Sequence, residues 1–221
     1  MMTNLFSIFD PSTKFYFSLN WMIMIMIMIM IPFNFYFFPP RHYFSVLKLI
    51  QNINKEINTN IKKFFKLSIM FLTLFLFIMI SNLLGLYPYI FTSTSHLSIS
   101  LTMALPLWIM IMLFGWISHT NHMFTHLVPL GTPMMLSSFM VIIETISNII
   151  RPITLSVRLT ANMIAGHLLL SLLSNISEKM PPLFIPSSIM ISTLLFLEYA
   201  VSIIQSYVFI ILMSLYLSEI N

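Results

Sequence analysis

Long apolar runs alternate with short polar breaks along this chain. The first run, 15–38, contains ten alternating Met and Ile residues at 22–31. Both alternating residues are apolar, whereas a membrane barrel strand alternates apolar with polar side chains. The run instead has the length of a helix that crosses a bilayer, which needs about 20 residues. Runs 67–90 and 97–117 predict a second and a third crossing of the same kind.

The last two apolar runs, 134–173 and 183–217, are much longer, and a polar turn is predicted between them at 174–182. At ~1.5 Å per residue they would form helices of about 60 and about 50 Å. A hydrocarbon core is only ~30 Å thick. We therefore predict a helical hairpin that is strongly tilted, or bent near Pro152 and Pro186. Each run could instead split into two perpendicular crossings, although no polar break divides either one.

Segment 41–66 has a different pattern, because it carries six of the ten Lys and Arg residues of the chain. Apolar residues recur within it every three or four positions, which favours a basic amphipathic helix lying on the membrane surface over a polar loop. Its apolar stripe comprises Phe44, Leu47, Ile50, Ile53, Ile57, Ile61 and Phe64.

Composition agrees with these runs, since 58% of the 221 residues are hydrophobic and only 7% are charged. Soluble domains have about 25% charged residues. We predict one all-α integral membrane domain, 1–221, with about five crossing helices and one surface helix. The basic segment 41–66 should stay on the negative side of the membrane, with the N-terminus on the opposite side. No nucleic-acid partner is predicted, because this basic patch borders apolar spans.

Candidate metal ligands are few. The chain has no Cys, which excludes thiolate metal sites, iron–sulfur clusters and disulfides. His119, His122 and His126 have spacings of three and four, but a metal site usually adds a carboxylate or a thiolate. We interpret 119–133 as an exposed polar loop, and we predict no metal and no cofactor.

Charged residues within the hairpin are the strongest functional signal. Glu144, Arg151 and Arg158 are spaced by seven residues, and Asn162 follows four residues later. Seven residues return to within about 20° of the same helix face. A charged side chain at the centre of a bilayer costs ~2.5–3.5 kcal/mol even on translocon-insertion scales. A polar stripe of this kind therefore indicates a functional path.

The second long run carries a matching pair, Glu198 and Gln205, which are also seven residues apart. Facing residues of an antiparallel hairpin have a nearly constant sum of residue numbers. One register therefore brings Arg158 near Gln205 and His167 near Glu198. Titratable groups would then lie on both sides of a permanent cation. Such groups can relay protons, whereas a guanidinium cannot be deprotonated and interrupts a proton path.

Five stretches resemble subunit a of the rotary F-type ATP synthase in its mitochondrial form. The most specific is SVRLTANMIAGHLL at 156–169, combined with an E-x6-Q motif in the last helix. The other stretches are SNLLGLYPYIFTSTSHLSISLTMALPLW at 81–108, HLVPLGTP at 126–133, VIIETISNIIRP at 141–152 and LEYAVSIIQSYVF at 197–209. The resemblance runs from about 81 to 217, and the first 66 residues match mainly in pattern.

This resemblance implies a non-catalytic proton-channel subunit of the stator in the mitochondrial inner membrane. It would pack against a rotating c-ring of helical hairpins and meet peripheral-stalk and small membrane subunits. Arg158 would face the ring carboxylate. Glu198 and His167 would line the half-channel open to the intermembrane space, and Glu144 would lie near the matrix-side path.

Two amides and one unexpected cation complete the implied site. Asn162 and Gln205 would flank Arg158. Arg151 departs from the family pattern, in which a neutral residue such as Gln is expected. It must point to the lipid headgroups, pair with Glu144, or alter the matrix exit.

Three other functions are alternatives to a proton-channel subunit. A proton-coupled secondary transporter could use the same buried Arg, Glu and His residues, but such folds usually contain repeats and Gly-broken helices. A haem-binding redox subunit needs paired axial histidines from facing helices. Only His167 lies deep within a run. A purely structural assembly subunit is the third alternative, and it predicts that Glu198→Gln leaves proton flux unchanged.

Overall fold

The computed structural model describes residues 5–12, 18–29, 40–61, 65–128, 134–179, 182 and 184–220, and every regular element in these ranges is helical. Four helices are long and apolar enough to cross a membrane, which confirms the predicted all-α membrane fold. The helices are α1 (Ile23–Ile29), α2 (Arg41–Asn60), α3 (Phe65–Gly85), α4 (Leu97–Ser118), α5 (Thr120–Leu127), α6 (Met134–Lys179) and α7 (Phe184–Ile220).

The predicted first crossing, 15–38, is described only in part. A short 3-10 turn at Leu19–Met22 leads directly into α1. The side chain of Ile27 is fully buried, and α1 packs against α3. Residues 13–17 and 30–39 lie outside the described residues.

Helices α3 and α4 differ from the predicted runs mainly at one end. Helix α3 ends at Gly85, five residues before the predicted end of its run. Pro88 follows, and a proline disfavours helical backbone in the residue before it. Tyr89 then adopts a left-handed conformation with φ of 68°. Helix α4 continues through Pro106, which lies on its exposed side.

The amphipathic segment, predicted at 41–66, is helical over Arg41–Asn60. The second half of its apolar stripe packs into the core, where Ile57 and Ile61 are buried. Polar contacts hold it on α7, since the Tyr207 hydroxyl donates a hydrogen bond to Glu56 Oε2 at 2.8 Å. Lys62 and Lys63 lie outside the described residues.

The prediction of a polar loop at 119–133 is wrong for Thr120–Leu127, because these residues form the helix α5. Met123 is buried in the core, and Leu127 lies one turn further on the same face. This apolar pair stabilises a two-turn helix. Most of its other residues are His, Thr and Asn, so the sequence alone predicted a loop. Residues 129–133 lie outside the described residues.

The two long runs are continuous helices, with α6 passing through the buried Pro152. At ~1.5 Å per residue, the 46 residues of α6 span about 69 Å, so the helix is far longer than a bilayer core is thick. It continues six residues beyond the predicted end at 173. In this polar end, serine hydroxyls donate hydrogen bonds to carbonyls of the preceding turn. One is the bond from Ser177 to the Ser174 carbonyl at 2.7 Å.

One apolar core lies where α2, α3, α4, α6 and α7 meet. Phe209 on α7 and Leu155 on α6 are among its most deeply buried side chains. The opposite faces of α6 and α7 remain exposed and apolar, as lipid or a partner helix requires. Their exposed residues include Ile142, Ile146, Ile153, Leu169, Ile189, Met190, Phe196, Ile203 and Ile204.

Candidate functional site

Arg158 lies on the exposed face of α6. Its helical neighbours Leu155 and Leu159 are buried in the core, whereas Arg158 itself is exposed. Among the described residues, no carboxylate lies within 4.0 Å of this guanidinium. The cation is therefore available to a partner outside the described part of the chain.

An amide pair lies one turn beyond Arg158. Asn162 Nδ2 donates a hydrogen bond to Gln205 Oε1 at 3.1 Å. Gln205 is buried, and its Nε2 atom has no hydrogen-bond partner in the described structure. The register inferred from the sequence set Gln205 opposite Arg158, whereas its observed partner is one turn further along α6.

Glu198 lies beside a cavity of about 300 Å³, which we call the Glu198 cavity. Its side chain is 8% exposed, and both carboxylate oxygens are buried without a partner among the described residues. The carboxylate packs directly on Gly166, because a Cβ atom added there would lie 2.6 Å from Glu198 Oε1. The lining polar residues are Asn82, Asn162, Glu198, Ser202 and Gln205.

His167 follows Gly166 but points to a different space, since successive helical residues diverge by about 100°. It lines a larger cavity of about 710 Å³, the His167 cavity, together with Asp10, Tyr87 and Ser174. Its ring lies near the Gly85 backbone, and its Nε2 atom is buried without a partner among the described residues.

The predicted neighbours His167 and Glu198 do not come within 4.0 Å of each other, because no such pair is found among the described residues. They nevertheless lie at the same level of the hairpin. Leu86, at the end of α3, lines both the Glu198 cavity and the His167 cavity. The two cavities are therefore adjacent on either side of one leucine.

Glu144 lines a third cavity of about 350 Å³, the Arg151 cavity, which α4, α5, α6 and α7 enclose. Arg151 Nη1 lies 2.8 Å from Glu219 Oε2, and Arg151 Nη2 lies 3.9 Å from Glu144 Oε1. The guanidinium also lies over the ring of Tyr216, 4.9 Å from its centroid. Arg151 therefore has its counter-ions within the chain.

The sequence did not predict Glu219, Asn82 or Gly166 as site residues, although it contains a signal for the first two. Glu219 is set opposite Glu144 by the same hairpin register that relates Arg158 to Gln205. Asn82 stands within an apolar run, where an amide is costly unless it is paired. Both of its polar side-chain atoms are buried without a partner among the described residues. No pattern marked Gly166.

The polar residues thus form two separate groups along the hairpin. At ~1.5 Å per residue, Arg158 lies about 14 Å from His167 and about 21 Å from Glu144 along α6. The Glu198 cavity and the Arg151 cavity have no lining residue in common within the described part of the chain. Titratable carboxylates therefore line separate cavities on two sides of an exposed permanent cation.

Comparison with known proteins gives one family. The profile described as ATP synthase A chain matches residues 15–218. Full-length relatives include ATP synthase subunit a of Drosophila melanogaster, 53% identical over 224 residues, and of Aedes albopictus, 54% identical over 226 residues. ATP synthase subunit a of Anopheles quadrimaculatus is 54% identical over 227 residues, and in all three cases both chains are covered completely. This chain belongs to the ATP synthase A chain family and is a membrane-sector subunit of F-type ATP synthase.

Proposed function

We propose that the chain is the proton-translocating stator subunit of its ATP synthase. Two offset aqueous half-channels would pass protons to and from the carboxylates of a rotating c-ring, and Arg158 would separate them. The observation that carries this proposal is the exposed guanidinium of Arg158, which has no carboxylate within 4.0 Å among the described residues.

The first half-channel would run through the His167 cavity to the Glu198 cavity. His167 and Glu198 are titratable, and each presents buried polar atoms that no described residue satisfies. Buried polar atoms of this kind are usually paired with protein or with ordered water. A proton entering at His167 would pass Leu86 to reach Glu198. Asn162 and Gln205 would then lie between Glu198 and the ring.

The second half-channel would use the Arg151 cavity, with Glu144 as its titratable group. Glu144 is partly exposed at the opposite end of the polar stripe. Because this cavity and the Glu198 cavity have no lining residue in common in the described structure, protons would need a carrier to pass from one to the other. The ring carboxylate supplies that carrier.

The physical role of Arg158 follows from the cost of charge in lipid. A ring carboxylate can cross the lipid-facing part of the rotor only when protonated, since its ionised form is too costly there. Opposite Arg158 the ionised form is stabilised, so the carboxylate can lose one proton and accept another on the other side. The permanent cation also blocks direct leakage. Each proton that crosses 100 mV supplies ~2.3 kcal/mol for rotation.

We also propose a location and partners that agree with this role. The chain would lie in the mitochondrial inner membrane, with its N-terminus in the intermembrane space and segment 41–66 on the matrix side. The c-ring would pack against the exposed faces of α6 and α7. Peripheral-stalk and small membrane subunits would contact other parts of the chain, and we propose no cofactor.

Substitution of Arg158 tests the proposal. We expect Arg158→Ala to abolish proton-driven ATP synthesis while the assembled complex remains at normal abundance, because the exposed side chain makes no ion pair within the described residues. Synthesis would be measured in energised vesicles, and assembly by native electrophoresis. Arg41→Ala is the matched control, since Arg41 is an exposed arginine on the surface helix. Coupled synthesis at the normal rate in the Arg158 variant would refute the proposal.

A further inference from the structure

Arg151 carries a charge that the proposed function does not use. Its two terminal nitrogens face different carboxylates, with Glu219 on α7 at 2.8 Å and Glu144 on its own helix at 3.9 Å. A guanidinium holds such a fork rigidly and remains charged at all physiological pH values. The shorter distance shows that Glu219 is held more closely than Glu144.

Glu219 needs this counter-ion more than an ordinary surface acid does. It is the last but one residue of α7, where the helix terminus carries a partial negative charge. An acid at that end is disfavoured unless a cation lies nearby. Tyr216, one turn earlier, also packs its ring against the guanidinium at 4.9 Å from the centroid. Arg151 therefore fixes the last turn of α7 on α6.

The fixed turn forms part of the wall of the Arg151 cavity, because Tyr216 and Glu219 line it together with Glu144 and Asn148. With Arg151 present, the three charged groups of this cavity sum to a single negative charge. Without it, two carboxylates would line a space of about 350 Å³ with no cation among its lining residues. Glu219 would then compete with Glu144 for the protons that cross the cavity.

We propose that Arg151 is a positioning residue of the Glu144-side proton path. It clamps the Glu219 carboxylate at the end of α7 and so leaves Glu144 as the carboxylate that exchanges protons. This inference rests on the proposed function. It accounts for the second arginine of the polar stripe, to which the proposed function assigns no role.

The test compares substitutions that separate charge from packing. Arg151→Met keeps the bulk of the side chain and removes the charge. Arg151→Lys keeps a cation within reach of Glu219. Proton conduction under an imposed membrane potential would be measured per assembled complex in vesicles. Tyr207→Phe is the control, because it removes a different polar contact of α7, the hydrogen bond to Glu56.

We expect Arg151→Met to lower conduction about two- to fivefold, which is the range for loss of a partly exposed ion pair. Arg151→Lys and Tyr207→Phe should both stay within about twofold of the unmodified complex by the same scale. Glu219→Gln alone should stay within about twofold of the unmodified complex. Added to Arg151→Met, it should recover conduction, because it removes the carboxylate that competes with Glu144.

Unchanged conduction in Arg151→Met would overturn the inference, and so would a double variant with Glu219→Gln that conducts no better than Arg151→Met. Equal losses in Arg151→Met and Arg151→Lys would also overturn it, since packing rather than charge would then matter. If Arg151→Met fails to assemble, Glu219→Gln alone decides the matter. Conduction within about twofold of the unmodified complex would support the inference, and a larger loss would overturn it, because Glu219 would then carry protons itself. Coupled synthesis in Arg158→Ala would instead refute the proposed function.

Discussion

A methyl group at position 166 should displace the Glu198 carboxylate and leave the rest of the hairpin intact. In the Gly166→Ala variant the new Cβ atom would lie 2.6 Å from Glu198 Oε1 and 2.7 Å from its Cδ atom. Nonbonded heavy atoms prefer about 3.5 Å, so this contact must lengthen by nearly 1 Å. The Glu198 side chain can swing into its cavity of about 300 Å³, whereas the α6 and α7 backbones are held by the core.

The size of the effect depends on whether the Glu198 side chain or the helix backbone moves. Overpacking costs about 1–3 kcal/mol, and the low end applies because the clash is with the flexible end of a side chain. If about 1 kcal/mol enters the barrier for proton transfer, conduction slows about fivefold. We therefore expect Gly166→Ala to assemble normally and to conduct protons about fivefold more slowly per complex, as measured by vesicle acidification under an imposed potential.

Two further variants test whether the position of the Glu198 carboxylate matters. Gly85→Ala is the matched control, because the atoms nearest to its Cβ would be Met163 Cε at 3.1 Å and Thr92 Cγ2 at 3.3 Å rather than a carboxylate. Glu198→Asp combined with Gly166→Ala withdraws the carboxylate by about 1.5 Å, one C–C bond, and should recover part of the conduction. Equal losses in both alanine variants, or normal conduction in Gly166→Ala, would show that the position of this carboxylate is unimportant.

Two other substitutions test the Glu198 cavity and the core. Glu198→Gln should slow proton conduction strongly without loss of the complex, because an amide keeps the shape of the side chain but cannot release a proton; normal flux in quantified complexes would contradict this. Phe209→Ala should lower the stability of the subunit by about 3–5 kcal/mol through lost packing, since Phe209 is 0% exposed. Thermal dissociation of the purified complex would measure the loss, and an unchanged midpoint would argue against this core.

The sequence predicted the fold class well because the membrane makes hydrophobic runs the dominant signal. Helices α3, α4, α6 and α7 all fall on predicted runs, with changes of up to six residues at their ends. Helix α5 was missed because a two-turn helix outside those runs depends on tertiary contacts. The burial of Met123 is one such contact, and no local pattern distinguishes it from an apolar residue in a loop.

The candidate site was predicted less completely, for a geometric reason. The hairpin register correctly indicates the level at which residues of α6 and α7 meet, but not which neighbour within a turn makes the contact. Glu198 packs on Gly166, whereas the expected neighbour was His167. A rotation of 100° per residue separates those two positions. A register accurate to a turn therefore cannot identify a hydrogen-bonded partner.

The contrast between the two arginines of α6 is informative because both lie on one polar stripe. Arg151 is paired with Glu219 and stacked on Tyr216, so the chain itself accounts for its charge. Arg158 has neither kind of contact among the described residues, and the exposed positions beside it include the small residues Ala161 and Ala165. Small side chains let another helix approach closely. An unpaired cation on an approachable apolar face is costly in lipid alone. We infer that its counter-charge comes from a partner that packs there, as a ring carboxylate would.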